Sequence, residues 1–249
     1  AVKNLGRAWA AKNSSRRSDR VIAVSRHVRD FLVERWHIPD EKIGVVYHGI
    51  DPAAATDPPI PAALASVAGQ RFLFTAGSVR PARGLEDVVG ALGNLPEDVR
   101  LVIAGSVDRG AEHYERSIRK LSRDRGVESR VIWAGQLSPE AMSWCFRQAS
   151  FFVMTSRAEA CPNVVLEAMA EGAASISTDH PPMPEFFADA AMYYGARDSR
   201  QLAERLNGAL AAPPELQQGL RERARKRAAA FTWDDTARAT VIELQRAIE

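Results

Sequence analysis

From Arg71 onward the chain repeats one pattern, a short run of apolar residues followed by a segment with helical spacing. The runs are "RFLFTAG", "VRLVIAG", "RVIWAG", "SFFVMTS" and "AASIST", and the helical patterns fall near residues 84–93, 111–125, 138–148 and 164–171. Unbroken apolar runs suit strands covered on both faces, and parallel neighbours need a long crossover that a helix supplies. The alternation therefore predicts an α/β fold, a Rossmann-like doubly wound parallel sheet.

The flanking segments read differently. Residues 1–50 give helix, strand, helix, strand. Val2, Leu5 and Trp9 share one helical face, and so do Val28, Phe31, Leu32 and Trp36; "RVIAVS" and "KIGVVYHG" are the strands. Two strands and two helices are too few for a domain, so this stretch is expected to be the last part of an incomplete N-terminal domain. "DPAAATDPPIPAALA" brings four prolines and sets a linker over residues 51–68. Residues 69–230 form the main domain, and 231–249 a final helix. Within the helical region from about residue 198, the basic run "RERARKRAAAF" reads as a solvated helix face.

Composition narrows the function classes. A net charge of +2 exerts no general pull on nucleic acid. Neither a membrane-length apolar run nor a leader peptide is expected. Cys145 and Cys161 form no CxxC pair; they suit buried positions and a reducing cytoplasm. Lys3, Arg7, Lys12, Arg16, Arg17 and Arg20 suit a solvated face or, as the alternative, peripheral contact with anionic headgroups at the inner face of a membrane. The five histidines are scattered and no Asp-x-Asp occurs, so neither a metal nor a cofactor is expected.

Ligands of open parallel sheets bind beyond the carboxyl ends of the strands, which singles out three loops. "TAGSVRPARG" carries Gly77 and Gly84 with Arg80 and Arg83 between them, ahead of a helix from Leu85. Two guanidiniums beside a helix N-terminus would hold a diphosphate, although an arginine-bearing surface turn fits the stretch as well. "TSRAEACPNVVLEAMAEG" places Glu159 before, and Glu167 inside, a helix whose expected N-cap is Asn163 after Pro162. The first-turn amides of Val164 and Val165 would then face a phosphate, and the two carboxylates would accept from sugar hydroxyls. The third loop, "STDHPPMPEFF", offers His180, which is expected to be simply exposed.

These stretches together resemble the C-terminal half of a retaining GT-B glycosyltransferase of family 4 (glycosyl transferases group 1). The signature is E-x7-E, here Glu159-ACPNVVL-Glu167, with companions in family order: "DRVIAVSRHVRDFLVE", "KIGVVYHGID", "FTAGSVRPARGLEDVV", "LVIAGS", "RVIWAGQLSPEAM", "ISTDHPPMPE" and "FTWDDTA". The resemblance implies a nucleotide-sugar donor held by the C-terminal domain and a saccharide or lipid-linked acceptor held mostly by the missing N-terminal domain. Transfer would proceed with retention and without a metal, and this isolated piece would transfer little. The resemblance further implies that Glu167 accepts from the ribose hydroxyls and that Glu159 contacts the transferred sugar as the catalytic residue. The backbone of Cys161, Pro162, Asn163, Val164 and Val165 would hold sugar and diphosphate, beside Gly77, Arg80 and Arg83. Gly135, Gln136 and Leu137 would lie against the base. Two departures stand out: Ser78 occupies a position where the family usually has Arg, and Pro181-Pro182 stand where two glycines are usual.

Overall fold

The computed structural model describes residues 2–249, with side chains from Gly6 onward. It divides into two compact units, one formed by the chain up to Asp51 together with Phe231–Glu249, the other by Pro52–Ala230.

The first unit contains α1 (Val2–Arg17), β1 (Val21–Ala23), α2 (Arg26–Trp36), β2 (Ile43–Val45) and the final helix, Trp233–Arg246. Ser25 starts α2 by accepting the Val28 N–H at 3.2 Å, and His37 ends it in the left-handed region at φ 54°. The strands pair in parallel with Val21 opposite Ile43, over a core of Ala23, Leu32, Ile38 and Ile43. Two sequence expectations change here. Trp9 is 69% exposed, so it does not anchor a buried face, and the Val2 and Leu5 side chains lie outside the described residues. Arg20 is neither solvated nor free for headgroups: its Nε donates to the buried Glu243 carboxylate at 2.9 Å.

The second unit runs β3 (Phe72–Ala76), α3 (Leu85–Leu92), β4 (Arg100–Ala104), α4 (Glu112–Asp124), β5 (Val131–Gly135), α5 (Pro139–Gln148), β6 (Phe151–Met154), α6 (Asn163–Ala170), β7 (Ser175–Thr178), α7 (Met183–Phe187), β8 (Ala191–Tyr194), α8 (Ser199–Ala211) and α9 (Pro214–Ala228). Six strands pair in the order β5-β4-β3-β6-β7-β8, all parallel. Alternation within β3 feeds two cores. Phe72 and Phe74 meet Trp144, Phe146 and Phe152, whereas Leu73 joins Val88, Leu92, Leu101, Ile118, Val153, Leu202 and Leu206. Burying side chains of this size contributes roughly 1.5–3 kcal/mol each. The doubly wound parallel sheet is thus present, with β8 and the short α7 added to what the pattern predicts. "AMYY" is too brief, among Ala, Gly and Asp residues, to register as a strand in the sequence.

The basic run on α9 corrects a third expectation. Arg221 donates to Gly172 O at 3.1 Å and Ala149 O at 2.9 Å, and Arg227 donates to Phe186 O and Glu185 O, both at 2.8 Å. Those carbonyls lie at or just past the ends of α5, α6 and α7, where helices leave acceptors unmatched and carry partial negative charge. Arg221 and Arg227 are thus carbonyl clamps, whereas Arg225 and Lys226 of the same run are exposed as expected. The proline-rich stretch is also partly laid down: Leu64 and Val67 are buried, and Arg147 donates to Ala54 O at 2.6 Å and Asp57 Oδ1 at 2.9 Å.

Candidate active site at the carboxyl edge of the sheet

Strand order reverses between β3 and β6, so the loops leaving these two strands part to opposite faces of the sheet and open a crevice. Backbone and side chain lace the two loops together. The Arg157 N–H donates to Ala82 O at 2.8 Å, and the Thr155 hydroxyl donates to Arg83 O at 2.6 Å. Arg83, on the short 3-10 turn Pro81–Arg83, then sends its guanidinium to the Glu159 carboxylate at 3.3 Å. Their side chains are only 8% and 13% exposed.

Gly77 makes that placement possible. It sits at φ 121°, and a Cβ there would collide with Arg83 Nη2. Gly105, at φ 133°, in turn lets its backbone press on Gly77 O, and its N–H donates to Gly135 O at 2.7 Å. The loops after β5, β4, β3 and β6 therefore meet in series along one edge, which brings Gly135, Gly77, Arg83 and Glu159 into one row. Ser156, fully buried, fixes the acid further by donating to Glu159 Oε1 at 2.9 Å. Burial pulls the Arg83 guanidinium below its usual pKa, the Glu159 carboxylate opposes that shift, and nearby Arg80 adds to it. Arg80 itself is about half exposed, 3.9 Å from Asp108.

Several predicted details differ in the structure. Asn163 is not the N-cap of α6; Pro162 holds that position, and Asn163 is the first helical residue. Its Oδ1 faces the Cys161 thiol at 3.7 Å. The Val165 N–H is not open to a phosphate, because it donates to Pro162 O at 2.8 Å, and the Asn163 N–H donates to Cys161 O at 3.0 Å. The tight turn that proline imposes consumes these donors. On α3 the Leu85 N–H is likewise taken, by the Tyr114 hydroxyl at 2.9 Å, which donates onward to Glu86 at 2.8 Å. The Leu85 N–H is therefore not open to a ligand at the β3 loop. Cys145 is buried, with its thiol pushed up to about 12 by burial, whereas Cys161 is half-buried at the site loop.

Glu167 points from the second turn of α6 and is half-buried, and burial raises its carboxyl above the usual range. Among the described residues no cation or donor faces it, unlike Glu159. Gly135 and Gln136 are exposed beyond β5, and Leu137 is half-buried. His180 is half-buried with its N–H on Thr178 Oγ1 at 3.2 Å, so it is not a freely exposed loop residue. Sequence reasoning missed Ser156, Arg157 and Asp87, although the first two lie within the quoted loop "TSRAEACPN".

Residues 57–227 match the family model described as glycosyl transferases group 1. The chain belongs to that family. Residues 2–54 also match the model for Glycosyltransferase Family 4. The α-maltose-1-phosphate synthase of Mycolicibacterium smegmatis is 29% identical over 224 residues, covering 82% of this chain and 57% of that protein. A D-inositol 3-phosphate glycosyltransferase of Jonesia denitrificans is 30% identical over 214 residues, covering 79% and 50%. This chain thus spans about half the length of the curated relatives it matches. The Anabaena protein HepE, solved with UDP and glucose, superposes with a TM-score of 0.79 at 19% identity over 96% of this chain and 64% of that one. The superposition shows a shared GT-B-type fold. Among the described residues no helix is long and apolar enough to cross a membrane.

Proposed function

We propose that residues 69–230 bind the donor of a glycosyltransferase that moves a sugar from a nucleoside diphosphate sugar to a saccharide or lipid-linked acceptor, with retention and without a metal. Residues 1–50 and 231–249 would then belong to the acceptor-side domain. The observation that carries this reading is the Arg83–Glu159 pair at the switch point of the sheet. Arg83, with Arg80 beside it, supplies fixed positive charge for a leaving diphosphate, which lowers the barrier most where water is excluded. Glu159, oriented by Ser156, faces the hydroxyls of the transferred sugar, and Glu167 offers an uncommitted carboxylate to the ribose. Membership in the glycosyl transferases group 1 family and the superposition on HepE, solved with UDP and glucose, support the donor class.

Titration with UDP-, GDP- and ADP-sugars, while released nucleotide is followed, tests the reading. Binding of one donor with turnover in the presence of an acceptor is expected, and Glu159→Gln abolishes the turnover while retaining binding. Tight donor binding without turnover in a protein with its complete acceptor side would favour a binding module, a reading to which the Ser78 and Pro181-Pro182 departures lend weight. Absence of donor binding sinks both.

A further inference from the structure

Asp87, in the first turn of α3, is 3% exposed and accepts from three parts of the chain. Its Oδ1 accepts from Arg157 Nη2 at 2.8 Å, and its Oδ2 accepts from the Arg197 N–H and the Tyr194 hydroxyl, both at 3.0 Å. One carboxylate on the helix after β3 thereby holds a side chain of the loop after β6 and the backbone of the loop after β8. Arg197 shows the strength of that hold. It sits at φ 70°, in the left-handed region that arginine rarely adopts. Such a conformation persists where the surroundings over-determine it, here through the bond from its own N–H to Asp87.

Arg157 is the connection to the candidate active site. Residues 155–162 run without helix or strand between β6 and α6, so their course depends on individual bonds. Arg157 is anchored twice, by its N–H on Ala82 O at 2.8 Å and by its guanidinium on Asp87. Glu159 follows two positions on, and Ser156, which donates to it, stands one position before. Glu86 also reaches the guanidinium, at 3.4 Å, but its side chain is 39% exposed against 3% for Asp87. A charge pair screened by solvent contributes little, so the buried acid is the one that fixes Arg157.

We propose that Asp87 is a positioning residue: it sets the place of Glu159 through Arg157, touches neither donor nor acceptor, and governs contact with the transferred sugar while sparing the nucleotide. The part that concerns the sugar rests on the function proposed above; the hold on the loop does not. A buried ion pair often stabilises a fold no better than apolar side chains of the same volume, so what this pair supplies is one fixed geometry. That geometry belongs to the loop that carries Glu159. Asp87→Asn keeps the shape of the side chain but not its charge. Its amide nitrogen must then face either the Arg157 guanidinium or the Arg197 N–H, and both are donors.

The test joins peptide-resolved hydrogen–deuterium exchange of this chain to calorimetric titration with UDP, GDP and ADP and with UDP-glucose, GDP-mannose and ADP-glucose. Asp87→Asn, Arg157→Met and the double variant are compared with the parent, and circular dichroism confirms that each is folded. Arg221→Ala is the control for a general loss of stability. In Asp87→Asn, exchange over residues 155–162 rises about tenfold or more above the general rise that Arg221→Ala gives. Arg157→Met reproduces that rise, and the double variant adds little to it, because both substitutions break one link. For the nucleotide that binds, Asp87→Asn weakens the sugar form about tenfold, the worth of one hydrogen bond to a charged group, and leaves the free diphosphate within about twofold. The Arg157 side chain is 20% exposed, so Arg157→Met carries the test if Asp87→Asn does not fold. A parental exchange rate in the loop, a rise no greater than that of Arg221→Ala, or additive effects in the double variant overturn the proposal. So does an equal loss for diphosphate and sugar form, which would make Asp87 a general support of the site. If no nucleotide binds in any form, the donor reading falls, and the exchange result still decides the hold on the loop.

Discussion

Arg83 Nη1 lies 3.3 Å from Glu159 Oε1, which ties the loop after β3 to the loop after β6 at the point where strand order reverses. The pair is almost dry, so each charge depends on the other for the solvation it has lost. A diphosphate arriving at Arg83 would compete with Glu159 for the same guanidinium, which couples donor binding to the setting of the acid.

Arg83→Met leaves the Glu159 carboxylate with the Ser156 hydroxyl but without its cation. Breaking one side of a largely buried pair costs about 2–4 kcal/mol, somewhat less than for a wholly enclosed one because a little solvent reaches both side chains. Urea unfolding should show that loss, and Arg83→Lys, which restores the charge without the planar fork, should recover part of it. An Arg83→Met protein as stable as its parent would mean that the pair contributes nothing to the fold.

Glu167 carries the opposite situation, a half-buried carboxyl raised by desolvation with no compensating cation among the described residues. A group whose folded pKa exceeds its unfolded one supports the fold fully below the unfolded value, and that support is lost as pH rises through the folded value. Glu167→Gln should therefore unfold at a slightly higher temperature than the parent at neutral pH. The difference should close below the ordinary carboxylate range. The gain is a fraction of a kcal/mol once solvent screening of the half-exposed group is allowed for. Donor binding should weaken in the same variant, the pattern of a site that trades stability for function. Thermal scans at both pH values decide the matter.

Arg221 joins the ends of two helices by donating to Gly172 O and Ala149 O, and burial lowers its pKa. Arg221→Ala strands both carbonyls and should cost about 2–3 kcal/mol in denaturant unfolding. Arg200→Ala is the control. Arg200 is exposed and pairs with Glu204 one helical turn on, and its loss should leave the unfolding midpoint unchanged.

The central strands were legible because they are buried on both faces and mainly apolar, as "SFFVMTS" and "VRLVIAG" are; the buried β7 carries Ser175, Ser177 and Thr178, and the edge strand β5 is only half-buried. The meeting of the loops after β3 and β6 follows from strand order, but their charges alone did not separate a ligand loop from an arginine-bearing surface turn. Asn163 was misread because an N-cap is a matter of one residue of backbone geometry, and Pro162 ended the preceding turn a step earlier than residue preference suggests. Arg221 and Arg227 of α9 were misread because a guanidinium next to solvent and one clamped on a carbonyl look alike in sequence.

The sequence by itself determined the alternation of strand and helix, the two loops that carry Arg83 and Glu159, and the spacing of Glu159 and Glu167, because periodicity and turn chemistry are local. Only the tertiary structure decided which charges meet. Arg83 reaches Glu159 across 76 positions, Asp87 gathers Arg157, Tyr194 and Arg197, and Arg20 finds Glu243. Such partners are chosen by strand order and by the cost of leaving a buried charge unpaired, and neither is written in any one stretch of the chain.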